Sequence, residues 1–279
     1  MKKKKKGSSQ EIGLVASMAF ARFFLNVEDL HWGYWKDNME VNMSNLKLAQ
    51  NNFTDHLISH IPEGTKTILD VGSGMGNLAK SLMDQGYEVD CVSPSEHLSE
   101  QILERIGDET RIHRCRYEDL ETDKRFDLIL FSESFQYVKL KKGLEQCTRL
   151  LNDGGSMLIC DFFRHDTGSV SALSGGHKWP QFLIQLKDYP FREETNIDIS
   201  NFTVPSLELY ESFLREVGTP IKDLIVDYIT TGYPLTTKML AWKNRKRLAK
   251  IQRQYFSEMS WIQDFRDHKT YRLLRYQKC

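Results

Sequence analysis

The chain lacks a membrane-spanning segment, an excess of charge of either sign and a cysteine pattern typical of an oxidising compartment. No segment is apolar for the roughly 18 residues that a membrane span requires. Net charge is absent too, because 38 basic residues balance 38 acidic ones, so the overall field does not favour a polyanionic partner. The five cysteines are an odd number with no CxxC or other metal-ligand spacing. We therefore expect reduced thiols, no metal site and a cytoplasmic location.

The length of 279 residues allows one elaborated domain or two small ones, and we expect one. Lys2 to Lys6 followed by IGLVASMAFA share some features with a signal peptide. Glu11 precedes the apolar stretch, however, and the apolar pattern continues through Leu25, so we expect a lysine tail and an amphipathic helix instead. Residues 1–64 are accordingly predicted to form this tail and an N-terminal helical cap, and residues 65–279 the main domain.

From residue 67, short apolar runs alternate with helical patterns, which predicts an α/β fold with a mostly parallel sheet and helices on both faces. The pattern becomes irregular over 164–202. A helix is predicted from near Pro205 to Gly218, and a long basic helical stretch from about Thr236 to Met259. The seven predicted strands are, in chain order, TILDVG, YEVDCVS, RIHRCR, RFDLILFSES, SMLICDFF, IKDLIVDYIT and KTYRLLRYQ.

A glycine-rich turn, LDVGSGMG, follows the first predicted strand. Such a turn places backbone N–H groups and a helix N-terminus beside a ligand. Gly72, Gly74 and Gly76 give GxGxG, but Asn77 stands where the dinucleotide fingerprint needs its third glycine. No Gly-Lys-Ser/Thr follows, so a P-loop is excluded as well. Neither of the common phosphate-binding motifs therefore explains the turn.

Three stretches together resemble the core motifs of the class I S-adenosylmethionine-dependent methyltransferases: TILDVGSGMG, FDLILFSESFQYV and LLNDGGSMLICDFF. The resemblance covers roughly residues 65 to 163. It implies a Rossmann-like seven-stranded sheet of order 3-2-1-4-5-7-6, with S-adenosyl-L-methionine bound over the carboxyl ends of the first strands. It also implies methyl transfer to the nitrogen, oxygen or carbon atom of an acceptor. The earlier LHWGYW stretch loosely resembles gamma-tocopherol methyltransferases and cyclopropane-fatty-acid synthases.

By that resemblance, Asp70 lies near the amino group of the cofactor, and the glycines let the methionine part pass close to the backbone. Most members take both ribose hydroxyls with an acidic residue, and Ser93 stands at that position here, so a weaker ribose contact is expected. Tyr117 and Glu118 match the adenine-binding positions loosely, because Arg116 stands where many members have Asp. The predicted cofactor-binding residues are Tyr34, Asp70, Gly72, Ser73, Gly74, Gly76, Ser93, Tyr117, Glu118 and Ser132.

The candidate catalytic residues follow from the position of the ligand crevice in open α/β sheets, at the carboxyl ends of the strands. Glu133 comes after the fourth strand, Asp161 lies within the fifth strand, and His165 follows the fifth strand. We predict Glu133 as a general base or as a group that orients the substrate, against the alternative of a surface carboxylate or a carboxylate that only hydrogen-bonds to the residues around the site. His31 is a second candidate base, with a packed aromatic cluster as the alternative.

The acceptor is expected to depend on two lid insertions, at 164–202 and 232–260. Their aromatic residues suit a small-molecule or lipid-like acceptor. Basic residues crowd 238–253, which leaves two other functions open: a lipid-modifying or cyclopropane-synthase-like enzyme at a membrane surface, or an RNA methyltransferase. The balanced charge argues against nucleic acid as the main partner. A non-catalytic binding module is a further alternative, and the sequence does not set the oligomeric state.

Overall fold

The computed structural model describes residues 31–168, 171, 173–255 and 260–279. The amphipathic helix predicted after the lysine tail falls within residues 1–30, outside this range. The predicted end of the basic stretch near Met259 also lies outside the described residues.

The described residues form one mixed sheet. Its strand order is β3-β2-β1-β4-β5-β8-β7, and the two-residue β6 pairs with β5. Without β6 this is the predicted order 3-2-1-4-5-7-6, so the predicted fold class is confirmed. The bounds are β1 Thr67–Val71, β2 Glu88–Val92, β3 Ile112–His113, β4 Phe126–Ser132, β5 Leu151–Arg164, β6 His177–Lys178, β7 Phe191–Asp198 and β8 Lys269–Lys278.

Helices cover both faces of the sheet. The bounds are α1 Leu46–Ile58, α2 Asn77–Asp84, α3 Glu96–Ile106, α4 Leu140–Leu150, α5 Trp179–Leu186, α6 Ser200–Thr203, α7 Pro205–Phe213, α8 Thr219–Gly232, α9 Pro234–Lys243, α10 Arg245–Tyr255 and α11 Trp261–His268. A π-helical turn, Leu214–Gly218, joins α7 to α8. Short 3₁₀ helices span Met43–Asn45, Glu109–Arg111, Tyr117–Asp119 and Phe135–Tyr137. None of the helices among the described residues is long and apolar enough to cross a membrane.

The central strands are buried on both faces, as expected for a parallel sheet covered by helices. Successive residues of β1 enter opposite cores: Leu69 packs in one cluster and Ile68 in the other. The first cluster adds side chains from α4 and α5, and the second adds side chains from α1, α2, α3, α7 and α11. The continuous apolar runs of the sequence therefore mark strands whose two faces are both covered.

The sixth predicted strand is wrong. IKDLIVDYIT lies in helix α8, and the strand that occupies this place in the sheet is β7, Phe191–Asp198. β7 falls in the stretch that the sequence marked as irregular. It lies at the end of the sheet, paired only with β8 in the strand order, and it is mostly exposed and charged. An edge strand of this kind carries no apolar run.

The helix predicted to end at Gly218 continues beyond it. Gly218 keeps helical dihedral angles, with φ −65° and ψ −44°. Pro220 cannot donate a backbone hydrogen bond, and the wider π-helical turn before it lets the chain pass this position without stopping. The predicted third strand is also shorter than expected, with only Ile112 and His113 in the β conformation.

The sheet register brings the ends of three parallel strands to the same level. Val71 pairs with Phe131, and Phe131 pairs with Ile159. The residues that follow are the glycine turn after β1, Glu133 after β4 and Asp161 within β5. They lie along one edge of the sheet, as the crevice rule requires.

Candidate active site

The glycine turn between β1 and α2 is built from left-handed backbone. Gly72, Gly74 and Gly76 have φ of +79°, +55° and +84°, values that glycine adopts without strain. A Cβ at Gly72 would lie 2.6 Å from Cβ of Ser134, and a Cβ at Gly76 would lie 3.3 Å from the backbone of Ile102. A Cβ at Gly74 would meet no atom within 4 Å. Gly72 and Gly76 are therefore packed against neighbouring residues, whereas Gly74 faces open space.

Asp70 is the penultimate residue of β1 and is buried, with 2% of its surface exposed. Its Oδ2 has no hydrogen-bond partner among the described residues. Burial raises the pKa of this carboxyl to about 7. A buried polar atom left unsatisfied costs about 1–3 kcal/mol, and a cationic amino group would relieve that cost. Asp70 therefore fits the predicted contact with the amino group of S-adenosylmethionine.

Ser73 and Ser93 are both buried next to the glycine turn. The Ser73 hydroxyl donates to the carbonyl oxygen of Asp70 at 2.8 Å, which closes the turn. The N–H of Gly72 donates to the carbonyl of Val92 at 2.9 Å, and this bond places Ser93 beside the turn. The Ser93 hydroxyl accepts a long bond of 3.4 Å from the N–H of Ser95. Its position suits a ribose contact of the weak kind expected from one hydroxyl.

The three other predicted cofactor residues after the later strands have different surroundings. Tyr117 is buried in the core, where its hydroxyl lies 3.2 Å from Sγ of Cys147. Glu118 accepts a hydrogen bond of 2.8 Å from the N–H of Lys139, the residue before α4. Ser132 ends β4 and pairs in register with Cys160. Tyr117 and Glu118 thus have packing and capping roles here, and Ser132 is the one at the carboxyl edge of the sheet.

The described part of the LHWGYW stretch, residues 31–35, packs against α1 and α6 through several aromatic contacts. The ring of Tyr34 stacks on His56 at 4.6 Å and on Phe202 at 4.7 Å. His31 stacks on Phe53 at 4.7 Å, and its Nδ1 lies 2.9 Å from the carbonyl oxygen of Trp32. Tyr34 and His31 therefore have structural contacts in this aromatic cluster, whereas the backbone of Trp32 reaches the site itself.

Glu133 is the carboxylate that joins these segments. Its Oε1 accepts hydrogen bonds from the N–H of Trp32 at 2.8 Å and from the hydroxyl of Tyr271 at 2.6 Å. Its φ of +51° is left-handed, which costs roughly 1–2 kcal/mol for a residue with a Cβ. Burial raises the pKa of Glu133 to about 8, and Asp161 nearby adds to the rise. A strained residue with a raised pKa at a sheet edge is typical of a functional site.

Asp161 is the second buried carboxylate of this edge. It accepts bonds from the N–H of Gln136 at 2.9 Å and from the N–H of Phe162 at 2.8 Å. Burial raises its pKa to about 7. Lys269 is buried too and lies 4.4 Å from the Phe162 ring centroid, and burial lowers the pKa of its amine to about 7. His165, the other residue predicted here, is exposed.

The charge of Glu133 affects two further tyrosines: Tyr137, which the sequence predicts as part of the pocket wall after Glu133, and Tyr210, which the sequence did not single out. Partial burial and the charge of Glu133 raise the pKa of Tyr210, on α7, to about 12, although 41% of the surface of this residue is exposed. Partial burial, Asp161 and Glu133 raise the pKa of Tyr137, although 79% of the surface of this residue is exposed. Tyr271, which binds Glu133, was missed as well. The alternation of the closing strand placed Tyr271 on a face of the sheet, but no signal in the sequence pointed from that face to Glu133.

Comparison with known proteins agrees with this geometry. Residues 69–159 match the model of a methyltransferase domain. About a third of the chain thus has the sequence pattern of a methyltransferase domain. The match contains the glycine turn, Ser93, Glu133 and most of β5, and the predicted S-adenosylmethionine-dependent methyltransferase family is confirmed.

A curated relative of this methyltransferase domain is an uncharacterized methyltransferase of Staphylococcus carnosus (strain TM300). It is 28% identical over 116 residues, which are 39% of this chain and 54% of the relative. The chain thus spans about half the length of the curated relatives it matches.

Two solved structures share the fold over most of the chain. Geranyl diphosphate C-methyltransferase from Streptomyces coelicolor A3(2), in complex with Mg²⁺, geranyl-S-thiolodiphosphate and S-adenosyl-L-homocysteine, has a TM-score of 0.64 at 16% identity and covers 90% of this chain and 88% of that one. The [4+2]-cyclase SpnF has a TM-score of 0.65 at 17% identity and covers 97% and 96%. One fold thus carries both a methyl transfer and a cyclisation, so the activity has to be argued from the site.

Proposed function

We propose that this chain binds S-adenosylmethionine at the glycine turn and transfers its methyl group to a small organic acceptor held beside Glu133. The observation that carries the proposal is the buried Oδ2 of Asp70, without a partner among the described residues, next to a turn that opens at Gly74. A cationic amino group would satisfy Asp70, and close passage over Gly74 needs the hydrogen atom that glycine has in place of Cβ.

The cofactor would supply a methyl group on a sulfonium: the acceptor atom would bond to the methyl carbon as the carbon–sulfur bond opposite it breaks, and S-adenosylhomocysteine would leave as a thioether. Reaction by displacement depends chiefly on position, so the groups of this chain that hold the acceptor are the ones that matter. Glu133 is the group we assign to the acceptor. Because its Oε1 already accepts two hydrogen bonds, the other oxygen, Oε2, is the atom that takes up a proton from the acceptor or binds its donor.

Glu133 is assigned in preference to His31. The imidazole of His31 is stacked on Phe53 and lies against the carbonyl of Trp32. Glu133 has the raised pKa, close to 8, that lets a carboxyl act as a base near neutral pH. His31 then contributes by positioning Trp32, whose N–H binds Glu133.

The residues around Glu133 and Asp161, at the carboxyl edge of the sheet, would determine which acceptor is bound. Lys269 donates to the carbonyls of Ser174 and Gly175 at 2.9 and 3.0 Å, which supports a lid role for this part of 164–202. The rest of the predicted lid includes α5, which packs in the core, and β7, which belongs to the sheet. Tyr210 adds an aromatic ring from α7 near Glu133. A lipid-like acceptor is the finer form of the proposal, supported by this aromatic lining and by the geranyl compound in the related solved structure. The division into a cap, 1–64, and a methyltransferase domain, 65–279, with a second lid at 232–260, is part of the same proposal.

A cytoplasmic location is proposed with it. The five cysteines are free thiols, and their odd number suits a reducing compartment.

The proposal is tested by calorimetric titration with S-adenosylhomocysteine, with NAD as the control ligand. Gly74→Arg should abolish binding, because its side chain would fill the open space above the turn. Gly64→Arg is the matched control: Gly64 also has a positive φ, +80°, and open space around it, but it lies before β1. Saturable binding by the unaltered protein and by Gly64→Arg, lost in Gly74→Arg and absent with NAD, supports the proposal. No heat with S-adenosylhomocysteine overturns it.

A further inference from the structure

The helices α8, α9 and α10, residues 219–255, are here called the helical extension. Their main contacts are with the next helix along the chain. Many of their large apolar side chains are exposed, including Leu224 at 71%, Leu235 at 82% and Trp242 at 70%. Folded monomers rarely expose a contiguous apolar surface of this kind unless it meets a partner.

Positive charge accompanies these apolar residues. From Pro234 to Tyr255 the sequence contains seven Lys or Arg residues and no Asp or Glu. Lys243, Lys246 and Arg247 are exposed, and the guanidinium of Arg245 lies 5.6 Å from the Trp242 ring centroid. The partner of this surface must therefore offer both apolar contact and negative charge.

We infer that the helical extension docks on the surface of an anionic lipid bilayer. Helices α9 and α10 have 10 and 11 residues, about half of what a span needs, so they would lie along the interface. Helix α9 would contribute mainly apolar side chains to the lipid, and α10, RKRLAKIQRQY, mainly basic ones to the headgroups. Tryptophan favours the same depth, because its ring is apolar at one end and polar at the other.

Two other partners fit less well. A second copy packed on this surface by two-fold symmetry would bring the basic residues of both copies together, which opposes the contact. RNA would satisfy the basic residues, but it offers nothing to aliphatic side chains such as Leu235 and Met239, which are 82% and 62% exposed.

An apolar stripe links the docking surface to the candidate active site. Tyr210, Phe213, Val217, Ile221, Leu224 and Tyr228 recur at helical spacing along α7 and α8, and all are more than a third exposed. The stripe begins at Tyr210, whose hydroxyl is close enough to Glu133 for that carboxyl to raise its pKa. Docking would thus turn the Tyr210 side of the candidate active site toward the bilayer, where a lipid-like acceptor resides. This consequence, unlike the docking itself, rests on the proposed function.

The test is co-sedimentation of the full chain with vesicles of phosphatidylcholine, with and without phosphatidylserine. We expect binding only when phosphatidylserine is present, and weaker binding in high salt. The variant Lys243→Gln/Arg245→Gln/Lys246→Gln/Arg247→Gln should bind roughly a thousandfold more weakly. Its matched control, Lys47→Gln/Lys141→Gln/Lys142→Gln/Lys187→Gln, removes four exposed charges from other elements and should bind as the unaltered chain does. Both variants keep the N-terminal lysines, so the difference reports on the helical extension.

The apolar contact has its own readout. Trp242 fluorescence should shift to the blue on docking, and the shift should be lost in Trp242→Phe. Leu235→Gln/Trp242→Gln should bind vesicles more weakly without changing S-adenosylhomocysteine binding, which separates docking from the proposed function. Equal loss in the two lysine and arginine variants, or no binding to phosphatidylserine vesicles, would overturn the inference. So would a dimer in sedimentation velocity that Leu235→Gln/Trp242→Gln dissociates while vesicle binding persists.

Discussion

The hydroxyl of Tyr271 donates a hydrogen bond of 2.6 Å to Oε1 of Glu133, so the closing antiparallel strand holds the residue that ends the fourth parallel strand. The bond favours the charged carboxylate, whereas burial and Asp161 favour the neutral acid. The balance leaves a carboxyl whose pKa is near 8, held in one orientation from two sides. Trp32 supplies the second donor from the N-terminal segment, so three distant parts of the chain meet at one oxygen atom.

The first prediction concerns Glu133→Gln. If Glu133 takes a proton from the acceptor, kcat/KM rises with pH until about pH 8, because only the ionised carboxylate is a base. Glutamine cannot ionise, so the variant should be slower by roughly 10²–10⁴-fold and its pH profile should lose this limb. The measurement is methyl transfer from labelled S-adenosylmethionine to the acceptor found by screening. A limb that survives in Glu133→Gln would assign the base to another residue.

Tyr271→Phe provides a second prediction on the same group. Loss of the hydrogen bond removes a contact that lowers the pKa of Glu133, so the limb should move to higher pH while the chemistry persists. Tyr276→Phe is the matched control, because Tyr276 lies on the same strand and its hydroxyl lies 3.1 Å from Glu193, at the edge strand. An unchanged limb in Tyr271→Phe, or an equal shift in both variants, would contradict the assigned contact.

Asp70→Asn should stabilise the protein without ligand. The folded-state pKa of Asp70 is about 7, above the value near 3.9 of an unfolded chain. The folded protein therefore holds this proton more tightly, and its stability falls as pH rises from about 4 to 7. The asparagine variant escapes that loss, so its Tm should exceed that of the unaltered protein by several degrees at pH 8, and the gap should close near pH 4.

Asp127→Asn is the control for that experiment, because the pKa of Asp127 is lowered in the folded protein whereas that of Asp70 is raised. The expected change in Tm therefore has the opposite sign. Asp127 accepts hydrogen bonds from the N–H groups of Lys66 and Thr67, and such bonds lower its pKa. Its charge stabilises the fold above the unfolded pKa, so Asp127→Asn should lower the Tm at pH 8. Asp70→Asn should also lose affinity for S-adenosylhomocysteine. A lower Tm for Asp70→Asn at pH 8 would mean that the carboxylate already has a partner in the protein.

Most of the fold could be predicted from the sequence, and the errors have physical causes. The inner strands carry apolar runs because both faces are buried, and these runs were recognised. IKDLIVDYIT was misread because its β-branched residues favour a strand, although Ile221, Ile225 and Ile229 recur at the i, i+4 spacing of a helix. β7 was missed for the opposite reason, since a charged edge strand has little apolar pattern to detect.

The site was predictable where it is local in sequence. Asp70, the glycines and Glu133 stand next to recognisable strands, and the sheet register brings their segments to one edge. Tyr271 and Trp32 come from the two ends of the chain, and their contacts with Glu133 depend on side-chain and backbone geometry that no local pattern encodes. Tyr117 was assigned to the cofactor from its place after the third strand, whereas its burial against Cys147 follows from how α4 packs.

Gly72 is required both for its positive φ and for its close packing against Ser134, and substitutions can separate these two effects. Gly72→Ala would place a Cβ 2.6 Å from Cβ of Ser134 in addition to the strain of a φ of +79°, so it should destabilise the fold by more than the roughly 1–2 kcal/mol of the strain alone. Gly64→Ala carries only the strain, because nothing lies within 4 Å of its Cβ. Ser134→Gly should restore part of the stability of Gly72→Ala and none of the stability of Gly64→Ala, as measured by urea unfolding. If Gly72→Ala and Gly64→Ala lose the same free energy of unfolding, the turn is not packed against Ser134. Gly72 is then required only for its positive φ.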